Sequence, residues 1–565
     1  MTAGIDYKRE FERWLERADE SLQSELKGYD ESQIEDSFYK NLAFGTGGLR
    51  GIIGAGTNRM NIHTVSKASQ GLAAYLRKEY GNEASVVIGY DSRINSDLFA
   101  KVAAGVFAAN GVKVFIWNRL LPVPTVSYAV RYLGASAGVM ITASHNPSQY
   151  NGYKVYGHDG CQITTGAAAE ILEAIEAVDI FDGVHGEPFD SGLASRKITY
   201  IDEAVFDSFL GEVKNQSVLY GDAIDKNVSI VYSPLNGTGL EPVTRILKEE
   251  GYTNITLVEE QKMADGNFPT CPYPNPEIKE ALALGIEYCR KTGADLMLAT
   301  DPDCDRVGIA VRDRAGDYQL LSGNEVGLLL LDYICAQRVK HGTMPEGPLL
   351  LKTIVTIDMA DRIAENYGLE TINVLTGFKF IGEQIGILES RGEEHRYVFG
   401  FEESYGYLTG GYVRDKDGVD GAYMICEMLC FYRSQGISLL DKLNELYEKY
   451  GYSLNTLHSY KFDGPTGMAH MKKIMDHIRK HISVGSSFGE GKVLQVEDYS
   501  AGFNGLPKSD VLKIKLEHNS SFVVRPSGTE PKLKIYISIS ADNREKAEAM
   551  ERRVAEACQQ LVASL

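Results

Sequence analysis

The stretch VVIGYDSR (86–93) is an apolar run of strand length that ends in charged and polar residues. Two similar runs follow it, VKVFIW (112–117) and GVMITASHN (138–146), and helix-like segments such as residues 98–110 lie between them. Strands that alternate with helices are typical of α/β layers around a largely parallel sheet. This region therefore predicts an α/β domain.

The same alternation recurs further along the chain. NVSIVYSPLNGTG (227–239) and ADLMLATDPDCDR (294–306) repeat the pattern of a strand followed by a polar loop. PLLLKTIVT (348–356) and INVLTGFKF (372–380) form a weaker third copy. We interpret these copies as three α/β units of related architecture.

The two ends of the chain differ from these units. The first forty residues predict an amphipathic helix with Trp14 on its apolar side. VLKIKLEH (511–518) and LKIYISIS (533–540) alternate apolar and polar residues, as half-buried antiparallel strands do. A final helix is predicted to begin near Asp542 as its N-cap.

We therefore expect an α/β fold: three related α/β domains with mixed sheets plus a smaller C-terminal α+β domain around a central cleft. The predicted domains span residues 1–200, 201–321, 322–451 and 452–565.

Composition restricts the class of partner. The 565 residues include 58 Lys and Arg against 77 Asp and Glu, a net charge of −19, so the chain lacks the basic footprint that nucleic acid or anionic lipid requires. No apolar run is long enough for a membrane span, the N-terminal residues lack the apolar core of a signal peptide, and the eight cysteines show no metal-binding spacing. These features predict a cytoplasmic protein with a small-molecule partner.

The segment TASHNP (142–147) ends a predicted strand, which is where ligand sites form in α/β sheets. Ser144 is there a candidate nucleophile, although taken alone these residue types favour a plain turn. A serine hydrolase is not indicated, because the chain has no GxSxG elbow here and His145 is adjacent to Ser144 in sequence.

The segment ATDPDCDR (299–306) carries Asp301, Asp303 and Asp305 at alternate positions after another strand. In an extended backbone the three carboxylates would point the same way. Clustered negative charges require a cation, and a ligand set of oxygens alone suits Mg²⁺. An EF-hand does not fit, because arginines occupy the positions of its glycine and its last glutamate. The pattern therefore predicts a magnesium site rather than a solvated loop.

Two further segments indicate phosphate and sugar binding. RPSGTEP (525–531) offers the planar donors of an arginine together with hydroxyls and backbone N–H groups, which suits phosphate, although a plain hairpin loop is also compatible. In GFEESYG (400–406), Glu402 and Ser404 share a face if the backbone is extended, so that they are placed to hold sugar hydroxyls; a surface turn is as compatible with this segment alone.

A glycine-rich segment, GTGGLRG (45–51), lacks the ending of a P-loop, and its Arg50 is a candidate anion contact. No local structural need explains all these segments, so a shared cleft is the economical interpretation. An oxygen nucleophile, a metal, a sugar clamp and a phosphate cradle together suit phosphoryl transfer.

On these motifs the sequence resembles the α-D-phosphohexomutase family, the phosphoglucomutases and phosphomannomutases, along essentially its whole length. TASHNP, DPDCDR, GFEES and RPSGTEP occur in the order of that family. The family fold, three related α/β domains and a smaller fourth, matches the predicted layout.

The resemblance implies a role for each site residue. Ser144 would be the serine that carries the phosphoryl group, and it would complete one Mg²⁺ site with Asp301, Asp303 and Asp305. Lys154 would be the general acid/base, helped by a pKa that neighbouring cations lower, while His145 assists. Charge stabilisation near the phosphoserine is implied for Arg50 and Arg306. The implied sugar contacts are Thr376, Glu402, Ser404 and Lys416, and the implied contacts to the distal phosphate are Arg525, Ser527, Gly528 and Thr529.

The expected activity is the interconversion of glucose 1-phosphate and glucose 6-phosphate through glucose 1,6-bisphosphate, by a monomer or homodimer. Tyr405 and Gly406 follow the Glu-x-Ser motif where many dual-specificity members carry Gly and His, which favours glucose over mannose. A phosphopentomutase, a phosphomannomutase and a phosphatase with Asp301 as the nucleophile are the alternatives, and a non-catalytic sugar-phosphate sensor is disfavoured because Ser144 and all three aspartates are present.

Overall fold

The computed structural model describes residues 6–45, 47–462, 467–489, 491–527 and 532–564. The chain divides into two compact units. The first comprises the residues up to Leu321 together with Ile381–Glu394 and Tyr405–Cys430, and the second comprises Ser322–Phe380, His395–Ser404 and the residues from Phe431 onward. The predicted domain boundaries stay a prediction.

The helices are α1 Tyr7–Arg17, α2 Glu20–Leu26, α3 Glu31–Phe38, α4 Ile62–Tyr80, α5 Ser96–Ala109, α6 Val123–Leu133, α7 Thr165–Glu176, α8 Phe189–Ala194, α9 Glu203–Lys214, α10 Leu240–Glu249, α11 Glu259–Lys262, α12 Lys279–Thr292, α13 Gly323–His341, α14 Met359–Asn366, α15 Phe378–Ser390, α16 Gly418–Ser434, α17 Leu439–Tyr450, α18 Gly467–His481 and α19 Arg544–Ala563.

The strands are β1 Phe44–Gly45, β2 Gly48–Ile52, β3 Ser85–Tyr90, β4 Lys113–Ile116, β5 Ala137–Ile141, β6 Tyr150–Gly157, β7 Ile198–Tyr200, β8 Ile230–Ser233, β9 Ile255–Leu257, β10 Leu296–Thr300, β11 Val307–Arg312, β12 Tyr318–Leu321, β13 Leu349–Thr353, β14 Glu370–Val374, β15 Tyr397–Glu402, β16 Gly406–Leu408, β17 Tyr452–Lys461, β18 Ser487–Phe488, β19 Gly491–Asp498, β20 Leu512–Leu516, β21 Ser520–Pro526 and β22 Lys532–Ala541.

The N-terminal segment is helical, as predicted, but it forms three helices rather than one. Asp19 and Asp30 interrupt it, because each side chain accepts hydrogen bonds from backbone N–H groups and caps the helix that follows. Trp14 is fully buried and packs edge-on against Phe38 at a centroid distance of 5.7 Å. This aromatic contact joins α1 to α3.

The first sheet is mixed, with the order β1-β2-β6-β5-β3-β4-β7. Strands β5, β3, β4 and β7 are parallel to one another, and the hairpin between β5 and β6 reverses the direction. Strands β3 and β5 are fully apolar and buried at their centres, as parallel strands covered by helices on both faces are. Register pairs Tyr90 with Ile141, so both strands end at the same edge.

The second sheet of the first unit has the order β12-β11-β10-β8-β9 and is also mixed. Strand β10 is parallel to β8 and antiparallel to β11, so the chain turns back directly after Thr300. The turn between β10 and β11 contains the three aspartates at residues 301, 303 and 305.

The second unit contains the parallel strands β14-β13-β15 and a six-stranded antiparallel sheet of order β17-β22-β21-β20-β19-β18. The antiparallel sheet confirms the C-terminal strand prediction. Helix α19 begins one residue later than predicted, because Asn543 rather than Asp542 accepts the capping hydrogen bond from the Lys546 N–H. Among the described residues, no helix combines the length and apolar character that a membrane span requires.

Candidate active site

Two loops of the first unit lie at strand ends and meet at one place. The serine loop, residues 142–149, connects β5 to β6, and the acidic loop, residues 301–306, connects β10 to β11. Ser144 Oγ donates a hydrogen bond to Asp301 Oδ2 at 2.9 Å, although 157 residues separate the two in sequence. The structure thus brings the predicted nucleophile beside the predicted metal ligands.

Ser144 is held in an unusual backbone conformation. Its φ is +53°, in the left-handed region that residues with a side chain rarely adopt. Its N–H donates to Thr142 Oγ1 at 2.8 Å, and its Oγ lies 3.2 Å from His145 Nδ1. Only 4% of Ser144 is exposed, so its hydroxyl is presented to neighbouring polar groups rather than to open solvent.

The acidic loop is a turn, so the expectation of an extended backbone is wrong. Asp301 Oδ1 accepts hydrogen bonds from the N–H groups of Asp305 and Arg306, both at 3.0 Å, and Cys304 has a φ of +52°. This folded loop still gathers the carboxylates: one ligand oxygen from each of Asp301, Asp303 and Asp305 lies within 4.8 Å of the others.

The donor set fits a hard divalent cation. All three aspartates are buried, and Asp303 Oδ1 and Asp305 Oδ1 have no hydrogen-bond partner among the described residues. Buried carboxylate oxygens normally find a partner. Burial, together with the charges of the other two aspartates, raises the pKa of Asp301 well above its usual value. Oxygens that repel one another and lack donors are the arrangement that Mg²⁺ neutralises.

Two lysines face the acidic loop. Lys154 Nζ lies 2.9 Å from Asp303 Oδ2 and 3.4 Å from Asp305 Oδ2, and Lys416 Nζ lies 3.1 Å from Asp305 Oδ2. Burial would lower the pKa of Lys154, but Asp303 and Asp305 raise it above its usual value. The expectation that cations lower this pKa is wrong, because the nearest charges are carboxylates.

The register of the first sheet brings Lys154 and Arg50 beside the serine loop. Strand β2 pairs with β6 so that Gly48 lies opposite Lys154 and Arg50 opposite Gly152. Arg50 donates to Asn146 Oδ1 at 3.3 Å. A side chain at Gly152 would put its Cβ 2.4 Å from the Thr142 carbonyl oxygen, so glycine is required for this close approach.

His145 and Arg306 complete the polar surroundings of Ser144. Burial and the charges of Arg306 and Arg50 lower the pKa of His145 well below its usual value, so that its ring is neutral at physiological pH. Arg306 forms an ion pair with Glu277 and lies 3.8 Å from Asp305 Oδ1.

The other predicted substrate residues belong to the second unit, whereas Lys416 belongs to the first. Thr376 Oγ1 is buried without a hydrogen-bond partner among the described residues. Glu402 is buried at the end of β15, and Tyr405 has a φ of +65°, so the 400–406 segment turns and is not extended as expected.

The predicted phosphate cradle is described in part. Arg525 lies on β21 and pairs in register with Lys534, and the Ser527 N–H donates to the Lys532 carbonyl oxygen at 2.8 Å. The Gly528 and Thr529 predictions lie outside the described residues.

Asp91 and Arg93 were not predicted as parts of this site, and Thr142, although it lies in the predicted TASHNP segment, was given no role. Asp91 and Arg93 follow β3 as the serine loop follows β5, and Thr142 Oγ1 donates to Asp91 Oδ2 at 2.6 Å. These residues could have been found from the sequence, because polar residues directly follow two neighbouring parallel strands. The ends of such strands lie at the same edge of the sheet.

Comparison with known proteins matches four successive domain families. They are phosphoglucomutase/phosphomannomutase alpha/beta/alpha domain I over residues 41–180, domain II over 207–316, domain III over 322–450 and the C-terminal domain over 475–557. Three α/β/α domains and a C-terminal domain confirm the predicted fold class.

Curated relatives and solved structures resemble most of the chain. A phosphoglucomutase of Staphylococcus haemolyticus is 34% identical over 95% of this chain and 97% of its own, and one of Staphylococcus saprophyticus is 36% identical over 94% and 96%. The crystal structure of parafusin, a phosphoglucomutase from Paramecium, has a TM-score of 0.70 at 15% identity and covers 93% of this chain and 95% of its own, which shows a shared fold.

Proposed function

Because the chain belongs to the phosphoglucomutase/phosphomannomutase family, we propose that it is a phosphoglucomutase that interconverts glucose 1-phosphate and glucose 6-phosphate through a phosphoserine. One observation carries this proposal: Ser144 Oγ lies 2.9 Å from Asp301 in a buried cluster of three carboxylates. That geometry supports a serine oxygen that exchanges a phosphoryl group beside a cation.

The contacts of Asp301 support Ser144 rather than Asp301 as the nucleophile. Asp301 Oδ1 accepts two backbone N–H groups, and Asp301 Oδ2 accepts the Ser144 hydroxyl. An aspartate nucleophile would have to give up one of these hydrogen bonds to attack phosphorus. The serine hydroxyl has only His145 and Asp301 as neighbours within hydrogen-bond distance among the described residues.

Asp301, Asp303, Asp305 and the Ser144 oxygen would hold one Mg²⁺. When bound, Mg²⁺ supplies charge neutralisation for the phosphoryl group in transfer. The protein's own cations act on the same group: Lys154 and Lys416 lie within 3.4 Å of Asp305, and Arg50 contacts the serine loop at Asn146. Both lysines and Arg50 therefore add positive charge where the transferred group is held.

Proton transfer falls to His145 and Lys154. His145 has a depressed pKa and lies 3.2 Å from Ser144 Oγ, so its neutral ring is placed to exchange a proton with the serine oxygen. Lys154 has a raised pKa and is therefore cationic at rest, so it begins as a proton donor. We assign it the general-acid role for the leaving oxygen.

The reaction is two transfers. In the first, the bond between phosphorus and Ser144 Oγ breaks and a bond from phosphorus to the free sugar hydroxyl oxygen forms, giving glucose 1,6-bisphosphate. The proton of that hydroxyl goes to Lys154, and Ser144 Oγ takes a proton from His145. In the second, the bond from the other phosphorus to its sugar oxygen breaks and a bond to Ser144 Oγ forms, while neutral His145 takes the Ser144 proton and cationic Lys154 gives a proton to the leaving sugar oxygen. We assign the sugar to Thr376, Glu402, Ser404 and Lys416, and the distal phosphate to Arg525, Ser527, Gly528 and Thr529.

All eight cysteines are free thiols in the structure, which supports the proposal that the enzyme works in a reducing cytoplasm. A small sugar phosphate remains the proposed partner, and a monomer or homodimer remains the expected assembly.

Turnover with three substrates tests the proposal. We expect the parent enzyme with Mg²⁺ to convert glucose 1-phosphate faster than mannose 1-phosphate or ribose 1-phosphate. We expect Ser144→Ala to lose at least about 10³-fold in kcat, because no other oxygen takes the phosphoryl group. Ser233→Ala, which alters a buried serine bonded to Gln261, is the matched control and keeps its kcat. Faster turnover of mannose 1-phosphate or ribose 1-phosphate would contradict the assignment of glucose as the substrate sugar. Near-normal turnover by Ser144→Ala would contradict the mechanism.

A further inference from the structure

Arg93 is a fully buried cation outside the residues that the mechanism uses. Its side chain has no exposed surface, and its guanidinium lies 5.1 Å from the ring centroid of Phe268. Asp91 Oδ2 is 3.5 Å from Arg93 Nε, and both side chains of this pair are inaccessible to solvent. Burying a guanidinium destabilises the folded state unless its N–H groups donate hydrogen bonds. The groups that accept those bonds therefore indicate the structural role of Arg93.

The partners of Arg93 are backbone carbonyls of the serine loop and of the first residue of β6. Nε donates to the Ser144 carbonyl oxygen at 3.1 Å, and Nη2 donates to the carbonyl oxygens of Ser144 and Asn146. Nη1 donates to the carbonyl oxygens of Pro147 at 2.9 Å and Tyr150 at 3.0 Å. One side chain thus binds four carbonyl groups between residues 144 and 150.

Asp91 fixes the other side of the same serine. Its Oδ1 accepts from the Arg93 N–H at 2.9 Å and from Ser96 Oγ at 2.7 Å. Its Oδ2 accepts from Thr142 Oγ1 at 2.6 Å, and Thr142 Oγ1 in turn accepts the Ser144 N–H. The N–H of Ser144 is therefore held through Thr142, while its carbonyl is held directly by Arg93.

Ser144 needs this support because of its backbone. A non-glycine residue with a φ of +53° is strained and persists only where the surroundings determine its conformation. Without Arg93, the four carbonyls would lose their buried donors, and the loop would relax toward a lower-energy conformation. Ser144 Oγ would then move away from Asp301 Oδ2.

We propose that Arg93 is a positioning residue that fixes the serine loop by binding its carbonyls, and so sets the place of Ser144 Oγ beside the acidic loop. The inference rests on the proposed mutase function. It predicts an effect on the phosphoryl-transfer steps rather than on sugar binding. The side-chain hydrogen bonds of Arg93 go to Ser144, to its loop and to Tyr150, its other contacts are Asp91 and Phe268, and none of these residues is assigned to the sugar.

Arg93→Lys tests the inference, with Arg59→Lys as the matched control. A lysine has three donors on one atom and cannot reproduce the planar fork of five N–H groups. Arg59 also donates to backbone carbonyls, those of Asp36 and Asn58, but it lies among the N-terminal helices. The measurements are kcat and KM for glucose 1-phosphate, the thermal unfolding midpoint, and backbone hydrogen exchange of residues 144–150 against α5.

We expect Arg93→Lys to lower kcat by about 100-fold with KM changed less than about threefold, since a small displacement of a reacting group has this effect. Hydrogen exchange should accelerate at residues 144–150 and stay unchanged in α5. Arg59→Lys should lower the unfolding midpoint and keep kcat. If the two variants lose the same fraction of kcat, or if KM rises as much as kcat falls, the inference is wrong.

Phe268→Leu keeps the test decisive should Arg93→Lys not fold. This variant leaves Arg93 in place and removes only the aromatic ring against its guanidinium, so we expect a kcat loss of about twofold to fivefold with unchanged KM. An unchanged kcat together with unchanged hydrogen exchange at residues 144–150 would overturn the inference. A parent enzyme without turnover on any of the three sugar phosphates would instead overturn the proposed function.

Discussion

The serine loop and the acidic loop differ in which of their polar atoms are satisfied. In the serine loop, Arg93 binds three backbone carbonyls together with that of Tyr150, where β6 begins, and the Ser144 N–H donates to the loop's own Thr142. In the acidic loop two carboxylate oxygens, on Asp303 and Asp305, are buried without a hydrogen-bond partner among the described residues. Polar atoms with hydrogen-bond partners fix the conformation of a loop, whereas buried polar atoms without partners indicate where a ligand binds.

The largest effect should come from removing a negative charge in the acidic loop, at an aspartate with an oxygen that lacks a hydrogen-bond partner among the described residues. Asp303→Asn eliminates one negative charge beside Lys154 and Thr142, and we expect kcat to fall about 10³-fold, or about 4 kcal/mol of transition-state stabilisation. The Mg²⁺ concentration for half-maximal activity should rise in the same titration.

Exposed Asp317→Asn, in the same unit, is the control for charge alone and should match the parent. If Asp303→Asn stays within tenfold of the parent at saturating Mg²⁺, the unsatisfied oxygens do not mark a metal site.

A smaller effect should follow from crowding the acidic loop without changing its charge. The Cβ of Gly237→Ala would stand 2.4 Å from Pro302 Cα and 2.6 Å from the Pro302 carbonyl oxygen, so the loop must shift. We expect a loss of about 1–3 kcal/mol in the free energy of unfolding, measured by denaturant titration, and about a tenfold weaker response to Mg²⁺.

Gly211→Ala is the matched control, since a Cβ at this position of α9 meets no atom of the described residues within 4 Å. It should stabilise the protein slightly, because alanine favours a helix. Equal stability of the two variants would show that the acidic loop tolerates displacement.

The smallest effect concerns Asp420, a buried carboxylate that accepts hydrogen bonds and whose ionisation nevertheless destabilises the folded state. Asp420 accepts from the Thr409 N–H at 2.8 Å and from Thr409 Oγ1 at 2.6 Å, yet burial and the charge of Asp417 raise its pKa to about 8. Between its unfolded value of 3.8 and about 8, the folded state binds more protons than the unfolded state. The contribution of Asp420 to stability therefore falls as pH rises through this window.

Asp420→Asn removes this ionisation and can keep both contacts, since its amide donates to the Thr409 hydroxyl. We expect its Tm to exceed that of the parent by about 2 °C or more at pH 8.5, and the difference to shrink toward pH 5. Asp317→Asn should leave the pH dependence of the parent unchanged. A Tm difference that grows toward low pH would contradict the raised pKa.

Much of the fold could be predicted from local pattern. The apolar runs at residues 86–93, 138–146 and 294–306 coincide with β3, β5 and β10, because buried parallel strands are continuous apolar segments. Local pattern also accounts for α17, Leu439–Tyr450: a Ser438 capping box fixes its start, and Gly451, with its φ of +87°, follows its end.

The proximity of Ser144 to the three aspartates could be predicted from the sequence, but the conformation of the acidic loop could not. The acidic loop gathers its carboxylates through a turn closed by the Asp305 and Arg306 N–H groups, and an alternating pattern of aspartates does not distinguish this turn from an extended strand. The raised pKa of Lys154 depends on Asp303, which is 149 residues away. Arg93 was missed for the same reason, since its partners lie 51 to 57 residues further along the chain.

The most direct test of the account is to locate the covalent phosphate on the enzyme. The parent enzyme and Ser144→Ala are incubated with glucose 1,6-bisphosphate and Mg²⁺, digested, and analysed by mass spectrometry for phosphopeptides. We expect a phosphoserine at residue 144 in the parent, stable to hydroxylamine, and no phosphopeptide from the serine loop in Ser144→Ala. A hydroxylamine-sensitive phosphate on Asp301, or undiminished labelling of Ser144→Ala, would contradict it.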